Sequence, residues 1–271
     1  MISRKLNFRK FTSFLMAAIA LTTFASCSDD DTQNDNNARI VVHMTDAPGD
    51  YDAVFVDVVD VQIKADANAT DDAGWTSLGN IRTGVYDLLS LTGGVTQLLA
   101  DAEVPAGPLG QIRLVLGNNN SVVINGESQP LSTPSAQQSG LKLKVNQTLE
   151  AGKMYEFLLD FDVDQSIVTA GSSGGFILKP VIRLAAMEGT GIITGVISPS
   201  LSQAVVRARN ATNDISAYTD TNGKFSLHGV PAGTYQITIT SDAAAGIAVK
   251  TVPNVIVASG ATVDLETVFL Q

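Results

Sequence analysis

Apolar and polar residues alternate along most of the chain after Arg39, with the period of two that half-buried β-strands require. The apolar positions of the first predicted strand share one face: Ile40, Val42 and Met44. The next strand holds two sets, one on each face: Val54, Val56 and Val58, then Val59, Val61 and Ile63. Because a one-residue shift moves every side chain to the opposite face, we predict a β-bulge or a break at Val58-Val59.

The clearest predicted strand spans residues 153–164. Its large apolar side chains are expected to face inward: Tyr155, Phe157, Leu159, Phe161 and Val163. Its acidic side chains are expected to face outward: Glu156, Asp160, Asp162 and Asp164. Residues 176–184 form a further predicted strand, which Pro180 limits to a sheet edge or a bulge.

Short-range signals add turns to this pattern of strands. Val122-Val123-Ile124 followed by Asn125-Gly126 predicts a β-hairpin. Leucines between Leu88 and Leu99 approach helical spacing, but Gly93-Gly94 interrupts them, so one or two helical turns at most are expected there.

The pattern and the charge both change at residues 187–190. Residues 28–189 carry a net charge of −13, whereas residues 190–271 carry −1. The second segment offers about seven short strands separated by turn signals in some 80 residues, which favours a small antiparallel β-sandwich. We therefore predict an all-β protein with two antiparallel β-sandwich domains, at residues 39–187 and 190–271.

The N-terminal segment is typical of a bacterial signal peptide. Four basic residues precede an apolar run over residues 11–24, which is too short to span a bilayer. Ala25-Ser26-Cys27 follows and resembles a lipobox, with Phe24 where leucine is usual. This resemblance implies that residues 1–26 are removed and that Cys27 is acylated; an ordinary secretory signal with a chance cysteine is the alternative.

Residues 27–38 contain the lipidated Cys27 and a polar acidic stretch, which we expect to be a disordered tether. Fully extended, the eleven residues after Cys27 reach about 40 Å. Asp29-Asp30-Asp31 resembles the signal that sends lipoproteins of one Gram-negative group to the outer face of the outer membrane. A plain solvated spacer is the alternative.

Composition limits the partners that the chain can have. Without residues 1–26 it retains 13 basic and 27 acidic residues, and a protein this acidic repels phosphate backbones, which argues against nucleic acid. Cys27 is the only cysteine, so no intramolecular disulfide is expected. The acyl chains are then the predicted membrane anchor.

Residues 38–187 resemble a family of secreted bacterial lipoproteins known as domain of unknown function 4382. The matching stretches follow in order along the domain: Thr45-Asp46-Ala47-Pro48, Val85-Tyr86-Asp87-Leu88-Leu89-Ser90-Leu91, Gly110-Gln111-Ile112-Arg113-Leu114, Ser139-Gly140-Leu141-Lys142, Asp160-Phe161-Asp162 and Leu178-Lys179-Pro180. The resemblance implies a β-sandwich on a lipid anchor and no particular activity.

Residues 190–271 resemble a carboxypeptidase regulatory-like domain. The matching stretches are Gly191-Ile192-Ile193-Thr194-Gly195-Val196, Thr219-Asp220 with Gly223-Lys224-Phe225, and Val230-Pro231-Ala232-Gly233-Thr234-Tyr235. This resemblance implies a seven-stranded, prealbumin-like sandwich that acts as an appended structural or interaction unit without catalytic residues.

Acidic side chains give the one candidate metal site. Asp160, Asp162 and Asp164 alternate along a predicted strand, and Asp46 and Asp50 lie in a predicted turn. Carboxylate oxygens are ligands that Ca²⁺ prefers, so these five residues are candidate calcium ligands. The alternative is that they form a solvated acidic face that keeps the protein soluble.

Candidate catalytic and binding residues are few. Residues 171–175 match G-x-S-x-G, but a strand follows where a nucleophile elbow needs a helix, so we predict a hairpin loop. The two histidines, His43 and His228, lie in different predicted domains, and His43 is expected to be an ordinary strand residue. Trp75 is expected in a rim or core position rather than at a sugar-stacking site.

Together these observations predict a non-enzymatic, lipid-anchored protein of the outer membrane that faces the cell exterior. Its ligand would be an unidentified protein or glycan. A calcium-dependent adhesion or polysaccharide-capture module is one alternative. A hydrolase that uses paired aspartates as acid and base is the other.

Overall fold

The computed structural model describes residues 36–47, 49, 51–68, 72–133, 140–171, 174–200, 204–240 and 250–270. Asp35–Gln271 form one compact unit. The predictions for the signal peptide, Cys27 and the tether up to residue 35 therefore lie outside the described residues, as do those for Asp50 and Ser173.

Thirteen strands lie among the described residues of the first part of the unit: β1 (Asn37–Ala47), β2 (Ala53–Lys64), β3 (Thr76–Ser77), β4 (Gly84–Asp87), β5 (Gln97–Pro105), β6 (Gly107–Leu116), β7 (Ser121–Ile124), β8 (Glu127–Ser132), β9 (Leu141–Leu149), β10 (Met154–Asp162), β11 (Ile167–Ala170), β12 (Gly175–Leu178) and β13 (Ile182–Ala186). A 3-10 helix spans Leu88–Leu91 and a one-turn α-helix spans Val163–Ser166. None of the helices in the described residues has the length and apolarity needed to cross a bilayer.

These strands form two sheets, which we call the first sandwich. One sheet has the order β13-β10-β1-β5. The other has the order β11-β12-β8-β7-β2-β6-β9, with β3 and β4 also paired to β2. Most neighbours are antiparallel, as predicted, but β1 pairs with β10 and β8 pairs with β12 in parallel.

The core of the first sandwich lies between its two sheets, because most of its strands have one apolar face. The predicted inward set of β1, namely Ile40, Val42 and Met44, is fully buried. In β2 the register shifts between Val58 and Asp60, which confirms the predicted bulge. The bulge leaves Val59 47% exposed while Val58 and Val61 stay buried, so only Val61 of the second apolar set joins the core fully.

Local signals in the sequence are confirmed at two turns. Asn125 and Gly126 have φ values of 53° and 78°, which are the left-handed conformations that a two-residue hairpin turn requires. The leucine-rich stretch forms the single 3-10 turn at Leu88–Leu91, where the Asp87 side chain accepts a hydrogen bond from the Leu89 backbone.

Two predicted strands have different bounds in the structure. The strand predicted over residues 153–164 ends at Asp162, because Val163–Ser166 turns into a helix that the Asp162 side chain caps. The strand predicted over residues 176–184 is two strands in different sheets, β12 and β13, separated by residues 179–181. Pro180 lacks the N–H that a continuous ladder would need there.

In the second part, which we call the second sandwich, the structure describes seven strands: β14 (Thr190–Ser198), β15 (Val205–Arg209), β16 (Asp214–Tyr218), β17 (Lys224–Pro231), β18 (Gly233–Thr240), β19 (Lys250–Val257) and β20 (Thr262–Phe269). They form sheets of the order β17-β14-β20 and β16-β15-β18-β19, and β14 pairs with β20 in parallel. A second core cluster fills the space between them, with Phe225, Tyr235 and Ile237 among its buried members.

The two sandwiches follow each other through a very short connection. Residues 187–189 separate β13 from β14, and the Met187 carbonyl accepts hydrogen bonds from both the backbone and the hydroxyl of Thr190. The Met187 amide donates to the Glu156 carbonyl of the first sandwich. The chain therefore passes from one sandwich to the other through a hydrogen-bonded turn.

Candidate functional site

A group of charged and polar side chains lies where the two sandwiches meet. Asp160 on β10 pairs with Arg183 on β13, at 2.7 Å between Oδ2 and Nη2, and Arg183 Nε also donates to Oδ2. The sheet brings them together, because Asp160 and Arg183 are partners in the β10–β13 register. The Asp160 side chain is only 13% exposed, so the prediction that it faces outward into solvent is wrong.

Arg183 also reaches into the second sandwich. Its Nη2 donates to the His228 carbonyl at 3.0 Å, and its Nη1 donates to the Gly229 carbonyl at 3.4 Å. Burial raises the pKa of Asp160, although the neighbouring guanidinium of Arg183 acts in the opposite direction. One guanidinium therefore links a carboxylate of the first sandwich to two carbonyls of the second.

Two glycines allow the backbones to approach closely at this contact. A Cβ on Gly94 would lie 2.5 Å from the Ser226 Cβ, nearer than real side chains come. A Cβ on Gly229 would clash with the Ala185 Cβ. We call the contact formed by Gly94, Asp160, Arg183, Ser226 and Gly229, with their immediate neighbours, the joint.

Asp46 lies beside the joint at the end of β1. It is 5% exposed, and neither carboxylate oxygen has a hydrogen-bond partner within the described residues. The pKa of Asp46 is raised well above its usual 3.8. Burial has the largest effect, and the nearby carboxyls of Asp160 and Asp162 add to it. The backbone N–H of Val163 opposes that rise without reaching hydrogen-bond geometry.

Ser226 and His228 form a pair that sequence reasoning missed. Ser226 Oγ lies 3.0 Å from His228 Nε2, a contact that β17 sets because the two residues point to the same face. Burial lowers the pKa of His228, more than its hydrogen bond to the Gly94 backbone raises it. The surrounding cavity measures about 10 Å³, which is room for about one water molecule.

A larger opening lies beside the joint, and we call it the junction cleft. Its volume is about 210 Å³. Side chains of both sandwiches line it: Asp160, Asp162, Gln165 and Arg183 from the first, and Arg207, Asp214 and Ser216 from the second. Arg207 and Ser216 are opposite partners on β15 and β16, and Arg207 Nε lies 3.2 Å from Asp214 Oδ1.

The candidate calcium ligands have different environments in the structure. Asp46 is buried, Asp160 pairs with Arg183, and Asp162 accepts hydrogen bonds from the backbone and side chain of Gln165. Asp164 lies in the one-turn helix rather than on the strand, and Asp50 lies outside the described residues. In the described ranges no group of three or more acidic, histidine or cysteine side chains has a geometry suited to a metal ion.

The other singled-out residues have ordinary structural partners. His43 Nε2 lies 3.2 Å from Glu156 Oε1 on the neighbouring strand. The Trp75 ring is covered by Arg113, whose guanidinium carbon is 4.4 Å from the ring centre, and the Lys64 ammonium lies 5.6 Å away. Such cation–π contacts occupy the ring face that a sugar would need. Gly171 and Gly174 lie between the paired strands β11 and β12, so a strand and not a helix follows the G-x-S-x-G motif.

Comparison with known proteins identifies the first sandwich. Residues 37–180, just over half of the chain, match the family model described as Domain of unknown function (DUF4382), which confirms the resemblance seen in the sequence. No curated protein matches the chain.

Several solved structures align with the chain at low TM-scores. A cohesin–X-dockerin complex mutant from Acetivibrio cellulolyticus aligns at 25% identity over 30% of this chain and 56% of that chain, with a TM-score of 0.24. This chain therefore spans about half the length of that protein. The minor pilin GBS52 of Streptococcus agalactiae aligns at 12% identity over 87% of this chain and 95% of its own, with a TM-score of 0.24.

The shaft pilin SpaA from Lactobacillus rhamnosus GG aligns at 12% identity over 87% of this chain and 96% of its own, with a TM-score of 0.22. At these TM-scores none of the alignments bears on function.

Proposed function

The chain belongs to the DUF4382 family, and we propose that it is a non-enzymatic, lipid-anchored protein of the cell envelope. Its two β-sandwiches would act together as one stiff structural or binding module on the outer surface of the outer membrane. The joint is the observation that supports the stiffness of this module.

Three features of the joint favour a stiff module. The connection between the sandwiches is only the turn at residues 187–189. Gly94 and Gly229 allow their backbones to lie directly against the side chains of Ser226 and Ala185, and Arg183 bonds to both sandwiches at once. Domains that are meant to move independently usually have longer polar linkers, so this connection is better suited to transmitting a fixed orientation.

The anchor is proposed from the sequence alone. Cys27 follows Ala25-Ser26 at the end of the apolar run, where lipid modification would place acyl chains on the mature N-terminus. Burial of each CH₂ in the bilayer is worth about 0.8 kcal/mol, so two or more acyl chains anchor a protein stably. The aspartates at positions 29–31 support placement on the outer face.

The second sandwich is proposed to be a carboxypeptidase regulatory-like unit. Its seven strands in sheets of three and four agree with the architecture that this resemblance implies. In such a role it would hold the first sandwich in place or present a surface to a partner.

The junction cleft favours a second candidate, capture of a glycan. The hydrolase alternative receives less support, because Asp160 is paired with Arg183 and Ser226 is enclosed. Calcium-dependent adhesion remains a further proposal. It would be tested by comparing melting temperatures in Ca²⁺ and Mg²⁺ at equal ionic strength.

The proposed anchor predicts where the protein goes in detergent phase partitioning. The wild-type chain should enter the detergent phase and incorporate labelled fatty acid, and Cys27→Ala should do neither. Ser26→Ala is the matched control, because it keeps a small residue beside an intact cysteine. Fatty-acid labelling of Cys27→Ala equal to that of the wild type would contradict the anchor.

A further inference from the structure

We propose that the junction cleft binds one neutral sugar unit, either a free hexose or the terminal hexose of a glycan. This inference rests on the proposed role as a binding module and names its ligand class. It follows from the fixed walls of the cleft, the hydrogen-bonding groups left unused in it, its balance of charge and its size.

The walls of the cleft are fixed by the joint. Asp160 and Arg183 form one wall. Four hydrogen bonds hold them: two join Arg183 to Asp160, and two join Arg183 to carbonyls of the second sandwich. Arg207 and Ser216 form the opposite wall on the paired strands β15 and β16. Because both walls belong to sheets, a ligand would bind without the entropy cost of ordering loops.

Several polar atoms of the cleft have no partner within the described residues. Both Arg183 bonds to Asp160 end on Oδ2, so Oδ1 is left as an acceptor. The Ser216 hydroxyl and the terminal nitrogens of Arg207 likewise make no hydrogen bond in the described part of the chain. Side chains with acceptors and side chains with donors thus line one space from both sandwiches, which suits hydroxyl groups, since each hydroxyl both donates and accepts.

The charges of the cleft are paired, which disfavours a strongly ionic ligand. Arg183 is neutralised by Asp160 at 2.7 Å and Arg207 is accompanied by Asp214 at 3.2 Å. A free anion would have to compete with these carboxylates, and a cation would meet two guanidinium groups. A neutral polyhydroxylated ligand avoids both costs.

The volume of the cleft sets the size and affinity of the ligand. Pockets for drug-sized molecules occupy about 300–1,000 Å³, so a cleft of about 210 Å³ suits a single small ring. A ligand of that size, bound mainly by hydrogen bonds at an open site, should have a dissociation constant of about 1 mM.

The test is saturation-transfer NMR on the full chain with D-glucose, D-galactose, D-mannose and N-acetyl-D-glucosamine, each offered separately. At least one should receive saturation from the protein. Arg207→Ala should weaken that binding about fivefold or more, because it removes the donor from one wall. Ser216→Val should also weaken it, since it replaces the hydroxyl with methyl groups at similar volume.

Arg209→Ala is the matched control. Arg209 lies on the same strand and the same face as Arg207, is also near Asp214, and does not line the cleft. It should bind sugar like the wild type, and a thermal melt of each variant should show that the fold is intact.

Three results would overturn the proposal. The first is that none of the four sugars receives saturation. The second is that the wild type, Arg207→Ala and Ser216→Val bind sugar equally well. The third is that acetate or D-glucuronate binds and no neutral sugar does.

Methyl glycosides distinguish the two sources of ligand. If a methyl glycoside binds as tightly as the free sugar, the ligand is the end of a glycan. If only the free sugar binds, the ligand is a monosaccharide. Since none of these variants touches Cys27, a chain that is anchored but binds no sugar contradicts only this inference.

Discussion

Asp46 is a buried carboxyl that has no hydrogen-bond partner among the described residues, and its ionisation should make stability depend on pH. Its pKa is raised well above 3.8 in the folded state, so the native protein retains a proton that the unfolded chain releases. The stability that Asp46 contributes is therefore complete below pH 3.8 and is lost as the pH rises through the folded-state pKa.

Asp46→Asn should remove this loss. Its free energy of unfolding should exceed that of the wild type at pH 7, by about 1.4 kcal/mol for each unit by which the folded state raises the pKa of Asp46, because a neutral amide does not ionise. The excess should shrink towards pH 3.8, as measured by urea unfolding at several pH values. Asp66→Asn, at an exposed position, is the control that should follow the wild type. An excess that does not change with pH would contradict the account.

Gly94 is the residue whose lack of a side chain matters most at the joint. Gly94→Ala would place a Cβ 2.5 Å from that of Ser226 and force a left-handed backbone to accept a side chain. Strain and overpacking of this kind cost about 1–3 kcal/mol, so the melting temperature of the full chain should fall.

Gly152→Ala separates the two contributions. Gly152 also has a left-handed backbone, with φ of 74°, but nothing lies within 4 Å of its added Cβ. It should lower the melting temperature less than Gly94→Ala does. Equal effects would show that Gly94 matters only through its backbone.

At the residue scale, sequence reasoning found the faces of the strands but not the joint. Alternation placed Ile40, Val42 and Met44 correctly, because burial within one sheet follows the period of two. It placed Asp160 in solvent, because nothing in the local pattern shows that Arg183 and the second sandwich cover it. The Ser226–His228 pair was missed for the same reason, since Gly94 encloses it from a distant part of the chain.

At the scale of elements, the sequence predicted strands well wherever a local signal determines them. The Val58 bulge and the Asn125-Gly126 turn are both confirmed, since each depends on a few adjacent residues. Residues 176–184 were predicted as one strand, whereas the chain changes sheets at residues 179–181. The three parallel pairs were not predicted, because they join strands far apart in sequence.

The second sandwich offers a prediction at the same scale. It has its own buried cluster, which includes Phe225, Tyr235 and Ile237, so residues 190–271 expressed alone should fold. Circular dichroism should show a cooperative melt, at a lower temperature than in the full chain because the joint is lost. An unfolded product would instead mean that the second sandwich needs the first sandwich in order to fold.

At the scale of the whole molecule, the proposed stiff module depends on the joint holding the two sandwiches in one orientation. The short turn at residues 187–189, the glycine contacts and Arg183 all act at the same place. A protein built in this way presents a surface at a fixed angle to whatever anchors it. That property would serve a structural module and would also keep the walls of the junction cleft at a constant spacing.

The most direct test is a distance measurement between the two sandwiches. Spin labels on cysteines replacing Ser128 and Thr251, both exposed and one in each sandwich, would be introduced into Cys27→Ala and studied by double electron–electron resonance. We expect one narrow distance distribution, which Arg183→Ala should broaden by removing the bonds to Asp160, His228 and Gly229. A broad distribution in the chain with Arg183 intact would contradict the stiff module on which the proposed function depends.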